Sequence, residues 1–371
     1  MEIKEHPAHK IYLSFQKIED PRRYNKRHSL SNIMVLSLFS LLVGCEDFCD
    51  FEEFCKGKRE LFKEIFNINE IPSHDTFCRV FSLIDHKQFE LIFRELVADL
   101  LDNKIYDGLL DTIALDGKTI PHAGLHIVSA YSTNDGLVLG SLETGNSKKN
   151  ELHTMVKLVA QLKLEHTVVT TDAMGCNDAL IDQITKQKCD YVISLKGNQG
   201  NALENVVDYF KLTNDKLEKV VDIDKSHGAI IEREYEIATN IKGIDFNGKF
   251  ANLKSIIKST NKKTNLKDNK VSEEIRYFIS SLTGSSEIQN SIRKHWFIEN
   301  KLHWQLDVSF HEDGNITRDK NCQKNLNILR KIALNYIKHN KTTTSLSGQI
   351  RKNRWDESIL KNMLQAMKKY Q

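Results

Sequence analysis

The chain has 371 residues, of which 28% are charged and 40% hydrophobic, with a formal net charge of +3. This composition is typical of a folded protein of two or three domains, and it excludes a fibrous or largely disordered chain. The polar first ten residues lack the apolar core of a signal peptide, and the most apolar run, about residues 33–45, is too short to span a bilayer. We therefore expect a cytoplasmic protein that does not contact a membrane.

The cysteines are seven in number, an odd count with no C-x-x-C pair, which favours reduced thiols in the core. Cys45, Cys49 and Cys55 lie close together in sequence, and Cys78 follows His74 by four positions. A zinc cluster is the alternative interpretation, although these spacings match no common ligand pattern.

The charge is distributed unevenly along the chain. Residues 314–371 contain thirteen Lys and Arg against three Asp and Glu, a net charge of +10, which leaves −7 for residues 1–313. A basic segment beside an acidic body indicates binding to a polyanion. The alternative is a helical face in contact with solvent.

The first part of the chain, residues 1–104, is predicted to be helical from about residue 10 onward. Apolar residues recur there at helical spacing, as in "SLSNIMVLSLFSLLVGC". The segment "IPSHDTFCRVF" begins with a break and continues as a polar-faced helix, which fits a helix-turn-helix-like element. It would direct Ser73, His74, Thr76 and Arg79 outward, with His74 and Arg79 as candidate DNA contacts. Ordinary bundle helices have the same pattern.

The pattern changes near residue 109. The strand "TIALDGKT" is followed by two strands joined at Asn134-Asp135-Gly136, which is a strong hairpin signal. A helix from about residue 150 precedes a strand, a helix and the strand "DYVISLKG". Three strands followed by helix-strand-helix-strand predict an α/β layer with a mixed sheet.

Two aspartates have the same setting. Asp116 and Asp172 are each a lone acid that we place at the C-terminal end of an apolar strand, where sites form in α/β sheets. Either alone is more often a cap or a turn former. Glu299 follows on a helix between two His-Trp pairs, and an apparent strand, "LDVSF", comes after it. Three carboxylates of this kind can hold the two divalent ions that phosphodiester chemistry requires.

A zinc ladder is the competing interpretation of the same helix. His295, Glu299 and His303 are four residues apart and share a helical face. They would span about 12 Å at 1.5 Å per residue. All three therefore cannot reach one zinc ion without distortion of the helix, and the ladder is the weaker hypothesis.

Three stretches carry the most specific signal: "LDGKT", "TTDAMG…YVISLKGNQ" and "HWFIENKLHWQLDVSFHED". They resemble the catalytic motifs of bacterial insertion-sequence transposases of the DDE class, in the group that includes the H-repeat-associated proteins. The resemblance extends to "DPRR", "IPSHDTFCRVF", "HG…IEREY" and "RYFISSL", so it covers nearly the whole chain.

This resemblance implies an α/β fold with an RNase H-like mixed sheet flanked by helices, an all-helical N-terminal region and a β-rich insertion. The catalytic domain would span residues 105–345 with the insertion at about 201–283, followed by a basic tail at 346–371. Asp116 and Asp172 would be the first and second catalytic, metal-binding acids, and Glu299 the third.

Two departures from the wider superfamily concern the surroundings of Glu299. That superfamily often has a Tyr and an Arg shortly before the glutamate and a Lys seven residues after it. Ile292, His295 and Leu306 occupy those positions here. His295, His303 and Lys301 are candidate substitutes.

Several neighbours of the acids are candidate DNA contacts. Four of them occupy predicted loops and could hold phosphates of the cleaved strand: Lys118, Lys196, Asn198 and Gln199. The segment "KGN" is equally typical of a turn that ends a strand. Trp296 and Trp304 could stack on a base, although aromatic residues at helical spacing are more often core. His227, Glu232 and Arg233 are a weaker candidate group in the insertion.

The resemblance predicts a transposase of the bacterial cytoplasm, associated with the nucleoid. It would cut double-stranded DNA at terminal inverted repeats and join the ends to target DNA. It would use two ions of Mg²⁺ or Mn²⁺ and act as a homodimer or higher oligomer. The alternatives are an inactive or repurposed DNA-binding relative, and a nuclease that performs no strand transfer.

Overall fold

The computed structural model describes residues 8–24, 26–101, 110–145, 150–226 and 228–364. Within these ranges no helix combines the length and the apolar character that are needed to cross a membrane.

The N-terminal region is helical, as the sequence predicted, and its described residues form six helices. They are α1 (Ala8–Gln16), α2 (Leu30–Leu42), α3 (Phe48–Gly57), α4 (Arg59–Phe66), α5 (His74–Leu83) and α6 (His86–Leu101). Helix α2 begins where the Ser29 side chain accepts a hydrogen bond from the Asn32 N–H, and it is buried along nearly its whole length. It is therefore the central helix of this region.

A nine-stranded mixed sheet follows, in the order β3-β2-β1-β4-β5-β9-β8-β7-β6. Its strands are β1 (Thr112–Ile120), β2 (Leu125–Ser132), β3 (Leu137–Glu143), β4 (Val168–Thr171), β5 (Asp190–Leu195), β6 (Glu218–Ser226), β7 (Ala229–Ala238), β8 (Ser255–Asn265) and β9 (Val271–Ser280). Strand β4 pairs in parallel with β1 and with β5, and the remaining pairs are antiparallel. The predicted α/β class with a mixed sheet is confirmed.

The strands of the predicted insertion extend this sheet. Strand β9 pairs antiparallel with β5, from Val192 opposite Ser280 to Leu195 opposite Tyr277. The same segment also contains helix α9 (Gly200–Leu212). Main-chain hydrogen bonds between β5 and β9 thus join the insertion to the rest of the sheet.

The remaining helices in the described ranges contact the sheet, the N-terminal region or one another. They are α7 (Glu151–Gln161), α8 (Asp178–Lys186), α10 (Ser285–His295), α11 (Trp304–Phe310), α12 (Lys320–Asn340), α13 (Leu346–Trp355) and α14 (Glu357–Asn362). The strand predicted after Glu299 is wrong, because "LDVSF" lies in α11. Leu302, Leu306 and Phe310 are buried at four-residue spacing, whereas Val308 is exposed, which is the pattern of a helix.

Helix α12 passes through the middle of the protein. It contacts α2, α5 and α6 on one side and β3 on the other. One hydrophobic cluster runs continuously from α1 to residue 364. The N-terminal helices and the sheet therefore share a core.

The segment predicted as a basic tail is folded as far as the structure describes it. The Asn353 amide donates a hydrogen bond of 2.9 Å to the Leu42 carbonyl, and Arg354 donates one of 3.0 Å to the Val43 carbonyl. Lys361 forms an ion pair with Glu64 at 2.8 Å. Helices α13 and α14 thus pack on the N-terminal region.

This packing gives a stability prediction. Replacing Asn353 with Ala leaves the buried Leu42 carbonyl without its side-chain donor, so we expect the free energy of unfolding to fall by about 1–3 kcal/mol in urea titrations. Arg351→Ala, an exposed change on the same helix, should stay within about 0.5 kcal/mol of wild type. Equal effects of the two changes would contradict the docking of α13.

Candidate active site

The first two predicted acids lie side by side just beyond the pairing of β1 with β4. That parallel pairing ends at Leu115 opposite Thr171. Asp116 and Asp172 are the residues that come directly after this last pair. Asp172 directly follows β4, as predicted. The prediction that Asp116 ends its strand is wrong, because antiparallel pairing with β2 carries β1 on to Ile120.

Asp172 is held at this position by a short turn. Its carboxylate accepts a hydrogen bond of 3.0 Å from the Met174 N–H and so caps a single 3₁₀ turn. Two amides from the loop after β5 fix the same turn: Asn198 donates to the Ala173 carbonyl at 2.7 Å, and Gln199 donates to the Cys176 carbonyl at 2.6 Å. Asn198 and Gln199, predicted to hold DNA phosphates, thus use their amide groups to brace the loop after Asp172.

Glu299 comes from a break between α10 and α11. Residues 299–303 form one π-helical turn, in which the Trp304 N–H donates to the Glu299 carbonyl. Such turns insert one extra residue into a helix and are frequent at functional sites. The exposed Glu299 side chain and Asp172 line the same cavity of about 160 Å³.

The three acids lie close together: Asp116 and Asp172 follow paired residues of β1 and β4, and Asp172 and Glu299 line one cavity. Burial is the first cause that raises the pKa of Asp116 to about 7, and the negative charges of Glu299, Asp172 and Glu151 act in the same direction. A hydrogen bond of 2.8 Å from the Gly117 N–H opposes them. The structure therefore brings Asp116, Asp172 and Glu299 into one site, although they come from three distant segments.

The two histidines of the proposed ladder flank these acids in their neutral form. His295 Nδ1 lies 3.2 Å from the Thr170 hydroxyl on β4, and burial lowers the pKa of His295 to about 4. His303 Nδ1 lies 3.6 Å from an Asp116 carboxylate oxygen, and burial lowers the pKa of His303 to about 3. Both imidazoles are therefore uncharged at neutral pH, and neither supplies a positive charge for the binding of DNA.

A second acidic cluster lies nearby, and Lys118 occupies it. Asp307, Glu312 and Asp313 are the one set of His, Cys, Asp or Glu side chains among the described residues whose ligand atoms lie close enough to share an ion. The Lys118 ammonium contacts Asp307, and lies 3.0 Å from Glu312 and 3.1 Å from Asp313. Lys118, predicted to hold a DNA phosphate, is therefore engaged with these carboxylates.

Cations and aromatic rings complete the cavity beside Asp172 and Glu299. Lys196, exposed after β5, lines it as a candidate phosphate contact, and so does Arg276 of β9. Sequence reasoning missed Arg276, which lies within "RYFISSL". Trp296 also lines the cavity and is 41% exposed, while Trp304 is 57% exposed, so the prediction that both belong to the core is wrong.

A buried polar chain beside Gly117 was also missed. The Glu151 carboxylate lies 2.9 Å from His126 Nε2, and His126 Nδ1 lies 2.8 Å from the Thr119 hydroxyl. A Cβ at Gly117 would come within 2.5 Å of His126 Nε2 and closer still to Glu151. The glycine of "LDGKT", inside a strand, is the sequence signal of this close approach.

The remaining candidates lie outside the cavity. His74 and Arg79 are exposed on α5, as predicted, and His74 pairs with Glu52 at 2.8 Å, which raises the pKa of His74. Arg233 pairs with Asp222 at 3.1 Å. Residue 227 lies outside the described residues.

The seven cysteines are all free thiols, three of them exposed or half-buried and four buried.

The strand order β3-β2-β1-β4-β5, with acids on β1, after β4 and on a later helix, defines an RNase H-like catalytic domain. The sequence profile described as "Transposase DDE domain" matches residues 108–336, and one described as "DDE_Tnp_1-associated" matches residues 13–97. The chain therefore belongs to the family of DDE-domain transposases.

Relatives of similar length support this assignment. The chain is 32% identical to YbfL of Escherichia coli (strain K12) over 355 residues, which are 91% of this chain and 92% of YbfL. It is 32% identical over 357 residues to the "H repeat-associated putative transposase YhhI" of the same strain, with 91% and 92% of the two chains covered. It is 34% identical over 339 residues to YncI of Escherichia coli O157:H7, with 86% and 85% covered.

The close packing at Gly117 gives a testable prediction. In Gly117→Ala the new methyl group displaces His126 and Glu151, so we expect about 1–3 kcal/mol of destabilisation in urea unfolding. Gly197→Ala is the matched control, because no atom lies within 4 Å of the Cβ it would add. Equal stability of the two variants would contradict the proposed packing.

The raised pKa of Asp116 predicts a pH dependence. The folded state binds this proton more tightly than the unfolded state, whose Asp pKa is about 3.9, so the free energy of unfolding falls as pH rises from about 4 to about 7. Asp116→Asn removes this contribution. The Tm of the variant, measured without divalent metal, should rise relative to wild type across that interval. A constant difference in Tm would contradict this prediction.

Proposed function

We propose that this transposase cuts DNA at the ends of a mobile element and joins the resulting 3′-hydroxyls to target DNA, with Mg²⁺ or Mn²⁺ bound by Asp116, Asp172 and Glu299. The observation that carries the proposal is that these three acids lie close together at the end of the β1–β4 pairing. Family membership supports it independently.

The donor set fits divalent metal ions. All three side chains offer carboxylate oxygens, which Mg²⁺ and Mn²⁺ prefer. Among the described residues no Lys or Arg forms an ion pair with any of them, whereas Lys118 neutralises the neighbouring acidic cluster. The unneutralised site is thus the one that requires a cation. When bound, two ions supply Lewis-acid stabilisation of the attacking and leaving oxygens.

The chain's own residues position the reacting groups. Asn198 and Gln199 hold the turn that fixes Asp172, and the neutral His303 packs beside Asp116 without contributing positive charge. The exposed Lys196 is placed to contact a phosphate of the cleaved strand. No side chain is required to form a covalent bond with DNA.

The partners follow from the same proposal. They are double-stranded DNA with terminal inverted repeats, target DNA, and a second or further copy of the chain in the DNA complex, in a nucleoid-associated, cytoplasmic setting. On the N-terminal region, His74 and Arg79 of α5 form the proposed DNA-facing surface. Arg79 is exposed and free of ion pairs within the described ranges.

Cleavage of labelled duplexes made from the DNA that flanks the reading frame tests the site. We expect Asp116→Asn, Asp172→Asn and Glu299→Gln each to lower Mg²⁺-dependent cleavage by about 10³-fold or more, or about 4 kcal/mol. Each variant should still bind the duplex.

Asp313→Asn is the matched control, because it alters the acidic cluster that Lys118 occupies and should retain cleavage. Undiminished cleavage by the three site variants would overturn the proposal. A plasmid target in the same assay distinguishes the reactions: joined products indicate a transposase, whereas released ends alone indicate a nuclease.

A further inference from the structure

The positions that carry Tyr, Arg and Lys around the glutamate in the wider superfamily serve packing in this protein. Ile292 and Leu306 are buried in the core. His295 is half-buried and lies against Thr170. A positive charge that holds a phosphate beside Glu299 would therefore come from another residue of the cavity.

Arg276 is placed to supply that charge. It lies on β9 and lines the cavity together with Asp172 and Glu299. Its guanidinium carbon lies 5.0 Å from the centre of the Trp296 ring, which restricts its orientation. Its positive charge also lowers the pKa of His295, after the larger effect of burial, so it acts within the site.

The present partner of Arg276 is an acid exposed to solvent. Nε and Nη2 donate to the Glu274 carboxylate at 2.8 and 3.0 Å, and the Glu274 side chain is 58% exposed. Water and salt screen such a pair, so a phosphate can compete with Glu274 for the guanidinium. Nη1 makes no hydrogen bond or ion pair within the described residues. Nη1 is therefore available to a phosphate, and the guanidinium can bind a phosphate through two hydrogen bonds where it exchanges the Glu274 carboxylate for it.

The cavity continues in a direction that suits a DNA strand. It shares Arg276, Phe278, Ile292 and Trp296 with a groove of about 800 Å³ between β7–β9 and α10. Five Lys and Arg line that groove against three Asp and Glu, and the rest of its polar lining consists largely of Ser, Asn and Gln. A DNA backbone that runs from the three acids into this groove would contact Arg276, which lines both the cavity and the groove.

We propose that Arg276, from β9, binds the phosphate of the cleaved strand beside Asp172 and Glu299. This inference rests on the proposed function. It assigns Arg276 to direct binding of the DNA substrate.

The test asks whether Arg276 binds one particular phosphate of the DNA. The probe is a flanking-DNA duplex whose cleaved position has been mapped with the wild-type protein, prepared either unmodified or with one neutral methylphosphonate at that position. Affinities are measured by fluorescence anisotropy in EDTA, so the readout does not depend on catalysis. We expect Arg276→Ala to weaken binding of the unmodified duplex about tenfold and binding of the methylphosphonate duplex less than twofold.

Two further variants separate binding from structure. Glu274→Ala removes the ion-pair partner but keeps the guanidinium, so it should bind the unmodified duplex at least as tightly as wild type. Arg276→Lys keeps the charge without the fork and should recover part of the loss.

The inference would be overturned if Arg276→Ala lost equal affinity for both duplexes, or if Glu274→Ala were as damaging as Arg276→Ala. Either result, with the acid variants still inactive in cleavage, leaves the proposed function standing. If the wild-type protein cleaves no flanking DNA, the proposed function fails and this inference fails with it.

Discussion

The parallel pairing between β1 and β4 is the constraint on which the site depends. Because it ends at Leu115 and Thr171, it sets Asp116 beside Asp172. Burial is the main reason why the pKa of Asp116 rises, and the negative charges of Glu299 and Asp172 raise it further. The surrounding structure has to maintain an arrangement that is electrostatically unfavourable without a cation.

Much of the local structure can be understood as support for this arrangement. The amides of Asn198 and Gln199 prevent the turn after Asp172 from relaxing away from β1. Gly117 permits the close approach of His126 and Glu151 on the opposite face of β1. Each contact fixes the main chain next to an acid without using the carboxylate of that acid, as the proposed metal site would require.

The sequence predicted those features that depend on local pattern. The apolar strands, the hairpin at Asn134-Asp135-Gly136 and the three motif acids were all visible in it. Arg276 was not, because its place in the cavity depends on the pairing of β9 with β5, two strands about eighty residues apart. Trp296 was misassigned for a related reason: helical spacing shows which residues share a face, but not which face the sheet covers.

The distribution of positive charge completes this picture. The net charge of residues 314–371 suggested a polyanion-binding segment, yet Arg330 and Lys331 within it are buried in α12. Lys331 lies near the buried acids Glu312 and Glu90, and their negative charges limit the fall that burial causes in the pKa of Lys331, to about 8.

Glu90 in turn links α6 to the edge strand β3, since it accepts a hydrogen bond of 2.7 Å from the Ser141 N–H. These charges therefore join the N-terminal helices to the sheet, and they are not accessible to DNA. A count of charges along the sequence cannot distinguish a cation that neutralises a buried acid from one that meets solvent. Among the described residues, the cations that line the cavity of Asp172 and Glu299 are Lys196, from the loop after β5, and Arg276, from β9, so we expect the cleaved strand to be bound there.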